Sequence, residues 1–422
     1  MSDPTASPEA APAQEVAADR ADERLIASKG VGGALSSFLN RLRSGELGSL
    51  PVIIGLVIIW GVFQALNPAF LSSRNLVNLT LQSAAIGTLA LGIVLVLLLG
   101  EIDLSIGSVS GVSAAVVAVA FVQQGWALPL ALLASLVAGL LIGLFYGWVY
   151  TQWGVPSFVI TLAGLLGFLG LQLWILGDAG SINIPFSSGL VKFAQAWFLP
   201  AWLSYVLIVV CAAAYVGAGL LDSRSRKAVG LTPRSRTSLL IGTAVVVVIA
   251  LVGAFVLNQD RGVSVMFLTF ILMVFLTDIA IRKTPWGRSV MAIGGNVEAA
   301  RRAGINVRAV YLSVFAACST FAAVGGLFAA ARLATANQSS GGADTNLNAI
   351  AAAVIGGTSL FGGRGSAWAA LLGILVIQSI SSGLSLLSLD SSVRFMVTGA
   401  VLLLAVTVDS LTRRSRASHG RG

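Results

Sequence analysis

The chain has 422 residues, is 56% hydrophobic and only 10% charged, and has a mean hydropathy of +0.91. A soluble domain carries about 25% charged residues, so this composition excludes an ordinary soluble enzyme and predicts an all-α polytopic membrane protein. The formal charge of +9 is then expected to record basic residues in loops on one membrane face rather than a nucleic-acid partner.

Residues 1–49 stand apart. They are rich in Ala, Pro and Ser and hold seven of the 17 acidic residues. Residues 1–20 are expected to be disordered, and 21–43 to form a surface helix carrying Leu25, Ile26, Val31, Leu39 and Leu42. No uninterrupted apolar core marks a cleavable leader. The expected role is a solubilising cytoplasmic tail.

A membrane helix needs about 20 mainly apolar residues. Spans are expected near 50–66, 81–99, 104–122, 128–149, 156–176, 202–221, 238–257, 264–281, 309–331, 346–362, 367–388 and 393–411. That gives about twelve, or ten if two prove re-entrant; the short, glycine-rich 346–362 and the boundary between the second and third spans are the candidates. With both termini inside, the inner segments hold 21 of the 26 lysines and arginines and the outer loops five, an asymmetry that supports this parity. The transmembrane domain is thus 50–411, and residues 412–422 form a basic cytoplasmic tail. Segment 177–200, with an aromatic cluster at Trp197, Phe198 and Trp202, is expected outside, half of it as a short surface helix.

Glycines four apart, Gly107 with Gly111 and Gly143 with Gly147, and the Gly164, Gly167, Gly170 face predict close helix approach. Asp278 with Arg282 and Asp409 with Arg413 read as interfacial pairs. Cys211 and Cys318 lie in apolar segments, which argues against a disulfide framework or a cysteine metal site. The one histidine, His419, sits in the basic tail. No cofactor, metal site or catalytic residue is therefore expected.

Glu101 and Asp103, in Glu-Ile-Asp-Leu-Ser-Ile-Gly-Ser at 101–108, end a long apolar run. One reading makes them capping or conformational residues together with Ser105 and Gly107, or a latch onto a loop arginine. The other makes them part of a substrate path or proton relay. Possible path residues are Gln82, Thr88, Thr161, Gln172 and Asn346, with Asn337, Gln338, Asp344 and Asn348 as further polar candidates near the outer side.

The loop 282–308 reads from its own chemistry as a compact, charged helix on the cytoplasmic side between two spans. Thr284-Pro285-Trp286-Gly287 ends a helix, and Gly294-Gly295-Asn296 makes a turn with Asn296 as N-cap of the next. Glu298 suits that first turn and stands within pairing distance of Arg301 and Arg302, and Gly304 stops the short helix. An ordinary solvated loop is the other reading. The glycines of Gly356-Gly357-Thr358 and Gly362-Gly363-Arg364-Gly365-Ser366 are not a phosphate loop, because no G-x-x-x-x-G-K-[S/T] occurs. They predict a broken helix and a tight inner turn.

Three stretches carry a family resemblance. They are Asn75–Gly92 continued by Gly-Glu-Ile-Asp-Leu-Ser-Ile-Gly-Ser at 100–108, Pro156–Gly170, and Thr284–Val307 continued by 347–366. In order and spacing, over about 50–411, the chain resembles the integral-membrane permeases of bacterial ribose/xylose-type ABC sugar importers. The extra spans around the basic loop 222–237 are most similar to the longer xylose-type members. The resemblance implies a monosaccharide substrate, a pentose above all, and a homodimer of permease copies in membrane lipid. It also implies two cytoplasmic ATP-binding subunits that hydrolyse the ATP, and an extracytoplasmic sugar-binding protein that supplies most of the selectivity. The run from Glu298 through Ala299, Ala300 and Arg301 to Gly304 resembles the glutamate–alanine–alanine signature that docks into the ATPase subunit. The alternative is a proton-coupled secondary sugar transporter using Glu101 or Asp103, although coupling sites tend towards mid-membrane.

Overall fold

The computed structural model describes residues 50–229, 231, 236–393, 395–401, 403 and 407. The expected surface helix at 21–43, the Asp409–Arg413 pair and the tail at 412–422 lie outside the described residues. In chain order the helices are α1 (Leu50–Leu66), α2 (Ser73–Leu98), α3 (Ile106–Ala118, continued by a π-helical turn, Val119–Gln123), α4 (Leu128–Trp153) and α5 (Ser157–Leu176). Strand β1 (Ser181–Asn183) and α6 (Gly189–Gln195) follow, then α7 (Ala201–Ala228), α8 (Arg236–Leu257), α9 (Val265–Lys283), α10 (Pro285–Gly295) and α11 (Val297–Arg302). The chain continues as α12 (Val307–Leu333), β2 (Thr335–Asn337), α13 (Ala343–Ile355) and α14 (Trp368–Leu386). The described residues of 391–407 are helical.

Among the described residues, nine helices are long and apolar enough to cross a membrane, and α1 is a shorter apolar helix. The span expected at 346–362 is different. It is the 13-residue α13, about 20 Å long at 1.5 Å per residue, against a hydrocarbon core of about 30 Å. Gly356 and Gly357 end it, the latter at φ +102°. The second span starts at Ser73 rather than 81, because Ser72 caps it by accepting from Asn75 N at 3.4 Å. Its first turns pair their polar groups: Asn75 Nδ2 donates to Phe70 O at 2.7 Å, and Arg261 donates to the exposed Asn78 Oδ1 at 2.8 Å. Hydropathy alone therefore misplaces that start.

Residues 202–253 belong to one compact unit and 47–201 with 254–422 to another. The described part of the first is the α7–α8 hairpin, where Gly219 accommodates the Leu239 side chain. In the second, α2 runs through the centre. Leu89, Ala90, Leu91 and Ile93 to Leu98 are each at most 1% exposed, as an all-round apolar helix must be. Helix α12 packs on α2, α3 and α4. The α4–α12 contact uses three glycines at four-residue spacing: a Cβ at Gly139 would lie 2.6 Å from Ala323 Cβ, at Gly143 2.7 Å from Ala316 Cα, and at Gly147 2.7 Å from Leu312 Cα. Small residues here let two backbones approach where lipid supplies no apolar drive. Of the Gly164, Gly167, Gly170 face, only Gly164 meets a neighbour.

At one end of this unit β1 pairs antiparallel with β2, Ile182 opposite Ala336. Helix α6 buries Leu190, Val191 and Ala194 beside them, and Phe193 packs on Phe328 of α12. The helix expected in 177–200 is present, and a strand accompanies it. The opposite end carries the break after α2, the start of α5, the segment α10–α11 and the turn 356–367.

Candidate functional site

Between α2 and α3 the backbone leaves the helix for residues 99–105. The long, unbroken apolar run up to Leu99 is followed by Gly100 at φ +83°, a left-handed turn that favours glycine. Both flanking carboxylates are held by hydrogen bonds. Tyr150 Oη donates to Glu101 Oε1 at 2.6 Å, and Ser157 Oγ donates to Glu101 Oε2 at 2.5 Å. Asp103 is 1% exposed. Its Oδ1 accepts from Ser105 N and from Ser105 Oγ, both at 2.7 Å, and Cys318 Sγ approaches Oδ2 at 3.5 Å. Tyr146 Oη donates to Ser105 Oγ at 2.7 Å, which extends the chain into α4.

A buried carboxyl is tolerated when its oxygens are hydrogen-bonded, and here the partners come from α4, α5 and α12. Asp103 closes a local side-chain turn onto Ser105, the residue before α3, and bonds no N–H of that helix, so it orders the approach to α3 and does not cap it as the sequence suggested. Among the described residues no arginine forms an ion pair with Glu101 or Asp103; ion pairs elsewhere include Arg261–Asp260, Arg282–Asp278 at 2.9 Å and Arg301–Glu298. Sequence reasoning missed Tyr146, Tyr150, Ser157 and Cys318. The available signal was Tyr146 and Tyr150, two of only five tyrosines, one helical turn apart on the same face of α4.

The possible path residues divide. Gly107 lies where a Cβ would sit 2.7 Å from Gly341 O and 3.0 Å from Asn346 Cβ, so the loop before α13 seats directly on α3. Asn346 donates from Nδ2 to Leu104 O and Gln172 from Nε2 to Asn337 O at 2.9 Å. The remaining amide oxygens, Asn346 Oδ1 and Gln172 Oε1, are buried with no hydrogen-bond partner among the described residues. Thr88 and Thr161 are fully buried. Thr88 Oγ1 donates to Ala84 O at 2.7 Å within its own helix, whereas Thr161 Oγ1 donates to Ser157 O at 2.9 Å and also lies 3.3 Å from Ile102 O in the 99–105 break. Gln82 is half-buried on α2. The five do not converge: Asn346 and Gln172 meet the α3 side, Thr161 faces the α2–α3 break, and Thr88 serves its own helix.

The loop 282–308 is more helical than its sequence suggests. Thr284 caps α10 by accepting from Gly287 N at 3.2 Å, with Pro285 in the first turn. Gly294 and Gly295 complete α10 rather than forming a turn. Asn296 Oδ1 accepts from Ala299 N at 2.9 Å, capping α11, and Gly304 ends it at φ +83°. Arg301 Nη1 donates to Glu298 Oε1 at 2.8 Å on the exposed face. Ala300 is 4% exposed, so it packs into the chain, and the outward face of α11 presents Glu298, Ala299, Arg301 and Arg302. Trp286 Nε1 donates to Ser313 Oγ at 2.8 Å, fixing α10 to α12.

Nine helices long and apolar enough to cross a membrane, among the described residues, define a multi-pass membrane protein. The chain belongs to the family described as "Branched-chain amino acid transport system / permease component", which matches residues 75–406; it is an ABC-type permease subunit of the bacterial inner membrane. It is 38% identical over 374 residues to the xylose transport system permease protein XylH of Escherichia coli strain K12, covering 88% of this chain and 94% of that one. To the protein of the same name from Haemophilus influenzae it is 36% identical over 375 residues, covering 89% and 99%. The ribose import permease protein RbsC of Bacillus subtilis is 31% identical over 365 residues, covering 86% and 94%. No solved structure matches the chain. Among the described residues no three His, Cys, Asp or Glu side chains group so as to hold a metal ion.

Proposed function

We propose that this chain is the membrane-spanning subunit of an ATP-driven monosaccharide importer, with xylose or a related pentose as substrate. It works as a homodimer with two cytoplasmic ATP-binding subunits and an extracytoplasmic sugar-binding protein, both of its termini cytoplasmic. Residues 1–49 and 412–422 are its cytoplasmic tails. The observation that carries the reading is 38% identity to a xylose permease across 94% of that protein's length. The extra α7–α8 hairpin, expected from the longer xylose-type members, tilts the substrate towards xylose.

Helix α11 is the docking element. Glu298 and Ala299 face outward on a six-residue helix capped by Asn296 and stopped by Gly304, a small rigid knob suited to a groove on the ATPase. Glu101 and Asp103 hold the α2–α3 break rather than carry protons, since Asp103 closes the turn onto Ser105 and the bonds from Tyr150, Ser157 and Cys318 tie the break to α4, α5 and α12. Asn346 and Gln172 remain the best substrate-path candidates, because each keeps a free amide oxygen able to accept from a sugar hydroxyl in another conformation.

The test is affinity purification of tagged parent and Glu298→Arg chains in mild detergent. The parent retains a cytoplasmic ATPase, and the folded variant loses it. Equal retention by both chains removes Glu298 from the docking surface.

A further inference from the structure

The glycine-rich turn between α13 and α14 has no nucleotide chemistry, yet its backbone makes the closest approaches at this end of the molecule. Gly363 N donates to Leu98 O, the last residue of α2, at 2.9 Å. A Cβ on Gly294, in the last turn of α10, would collide with that same carbonyl oxygen and lie 2.6 Å from Gly363 N. A Cβ on Gly362 would lie 2.7 Å from Gly294 O and 2.9 Å from Gly100 N. Gly100, Gly362 and Gly363 all have positive φ, +83°, +81° and +69°. Three segments 68 to 265 residues apart in sequence thus meet backbone to backbone, with no side chain between them.

The turn is also held at its edge. Ser366 Oγ donates to Asp278 Oδ1 at 3.4 Å and accepts from Arg282 Nη2 at 3.2 Å and from Trp368 N at 3.2 Å. Asp278 pairs with Arg282 at 2.9 Å, so the last turn of α9 fixes the entry to α14. Helix α10 runs from this clamp to the junction, and α11 follows it after a single residue, Asn296.

We infer that Gly100, Gly294, Gly362 and Gly363 form a positioning junction that carries displacement of α11 to the α2–α3 break and to the α13–α14 turn. Packed backbones have discrete arrangements rather than a continuum. A shift of Gly294 against Leu98 O must therefore move either the 99–105 segment, with its Glu101 and Asp103 bonds, or the 356–367 turn. The inference rests on α11 being the ATPase contact. It explains why glycine stands at 294, where any side chain would separate the segments, while a Cβ added to its neighbour Gly295 would meet nothing within 4 Å.

The experiment is hydrogen exchange on the full chain reconstituted with its ATPase subunits, with and without ATP and vanadate. In the parent, trapping protects 297–303 and also changes exchange at 99–105 and 356–366. Gly294→Ala keeps the response at 297–303, loses it at both distant segments, and lowers xylose moved per ATP hydrolysed about tenfold. Gly295→Ala behaves as the parent. Gly363→Ala, whose Cβ meets Gly295 backbone at 3.1 Å, repeats the uncoupling if Gly294→Ala does not assemble. A purely structural role lowers yield but leaves the transport-to-hydrolysis ratio of assembled complex unchanged, and that result overturns the inference. So does a parent that responds at 297–303 alone. A parent with no response at 297–303 overturns the docking assignment of α11 and the junction with it, a different signature from the first two.

Discussion

Tyr150 Oη and Glu101 Oε1 stand 2.6 Å apart, so the C-terminal part of α4 is tied to the break that follows α2. Tyr150→Phe removes one of the two donors to Glu101 and leaves Ser157. A hydrogen bond to a charged group contributes about 1.5–3 kcal/mol, and the variant is expected to lose stability at that scale. Thermal unfolding of the purified chain in detergent measures it. An unchanged midpoint shows that Glu101 finds another partner.

The glycine faces separate cleanly. Gly143→Ala places a methyl 2.7 Å from Ala316 Cα and forces α4 off α12, an overpacking cost of about 1–3 kcal/mol. Gly167→Ala, with nothing within 4 Å, is expected to stay within about 0.5 kcal/mol of the parent. Side-by-side unfolding midpoints distinguish them, and equal losses would refute close packing as the role of Gly143.

Asn296 caps α11 through Ala299 N. Asn296→Ala costs about 1 kcal/mol of local stability and Asn296→Asp retains the cap. Hydrogen exchange at 297–303 is therefore expected to accelerate in the alanine variant only. Equal exchange in both would mean that tertiary contacts of Ala300, not the cap, hold the helix.

Glu298 and Arg301 pair on the exposed face, where such a pair contributes about 0.3–0.5 kcal/mol. Glu298→Gln should thus leave unfolding unchanged while weakening ATPase capture. Loss of the folded chain instead would make Glu298 structural.

Much of the bundle was legible from hydropathy, because runs such as 89–99 have no polar residue to interrupt them. The starts of spans were not. Asn75 and Asn78 read as loop residues until their partners Phe70, Ser382 and Arg261 are seen. The short α13 was legible only as a doubtful span, since its alanines and isoleucines look the same in a half-length helix as in a full one. The Asn296 cap, the Arg301 pair and the Gly304 stop were readable because each is local in sequence. The hydrogen bonds from Tyr146 to Ser105 and from Tyr150 to Glu101 were not, being set by helix packing across 41 and 49 residues. The glycine junction was hidden for the same reason: its residues are ordinary singly and acquire meaning only where their backbones touch.

Transport of a pentose with energy taken from ATP on partner subunits is tested most directly by uptake. Labelled xylose is offered to liposomes holding the chain, its ATPase subunits and ATP inside, with the sugar-binding protein outside. The expected result is accumulation that requires all of these and is indifferent to a proton gradient. Accumulation by the chain alone, driven by a proton gradient without ATP, would contradict it.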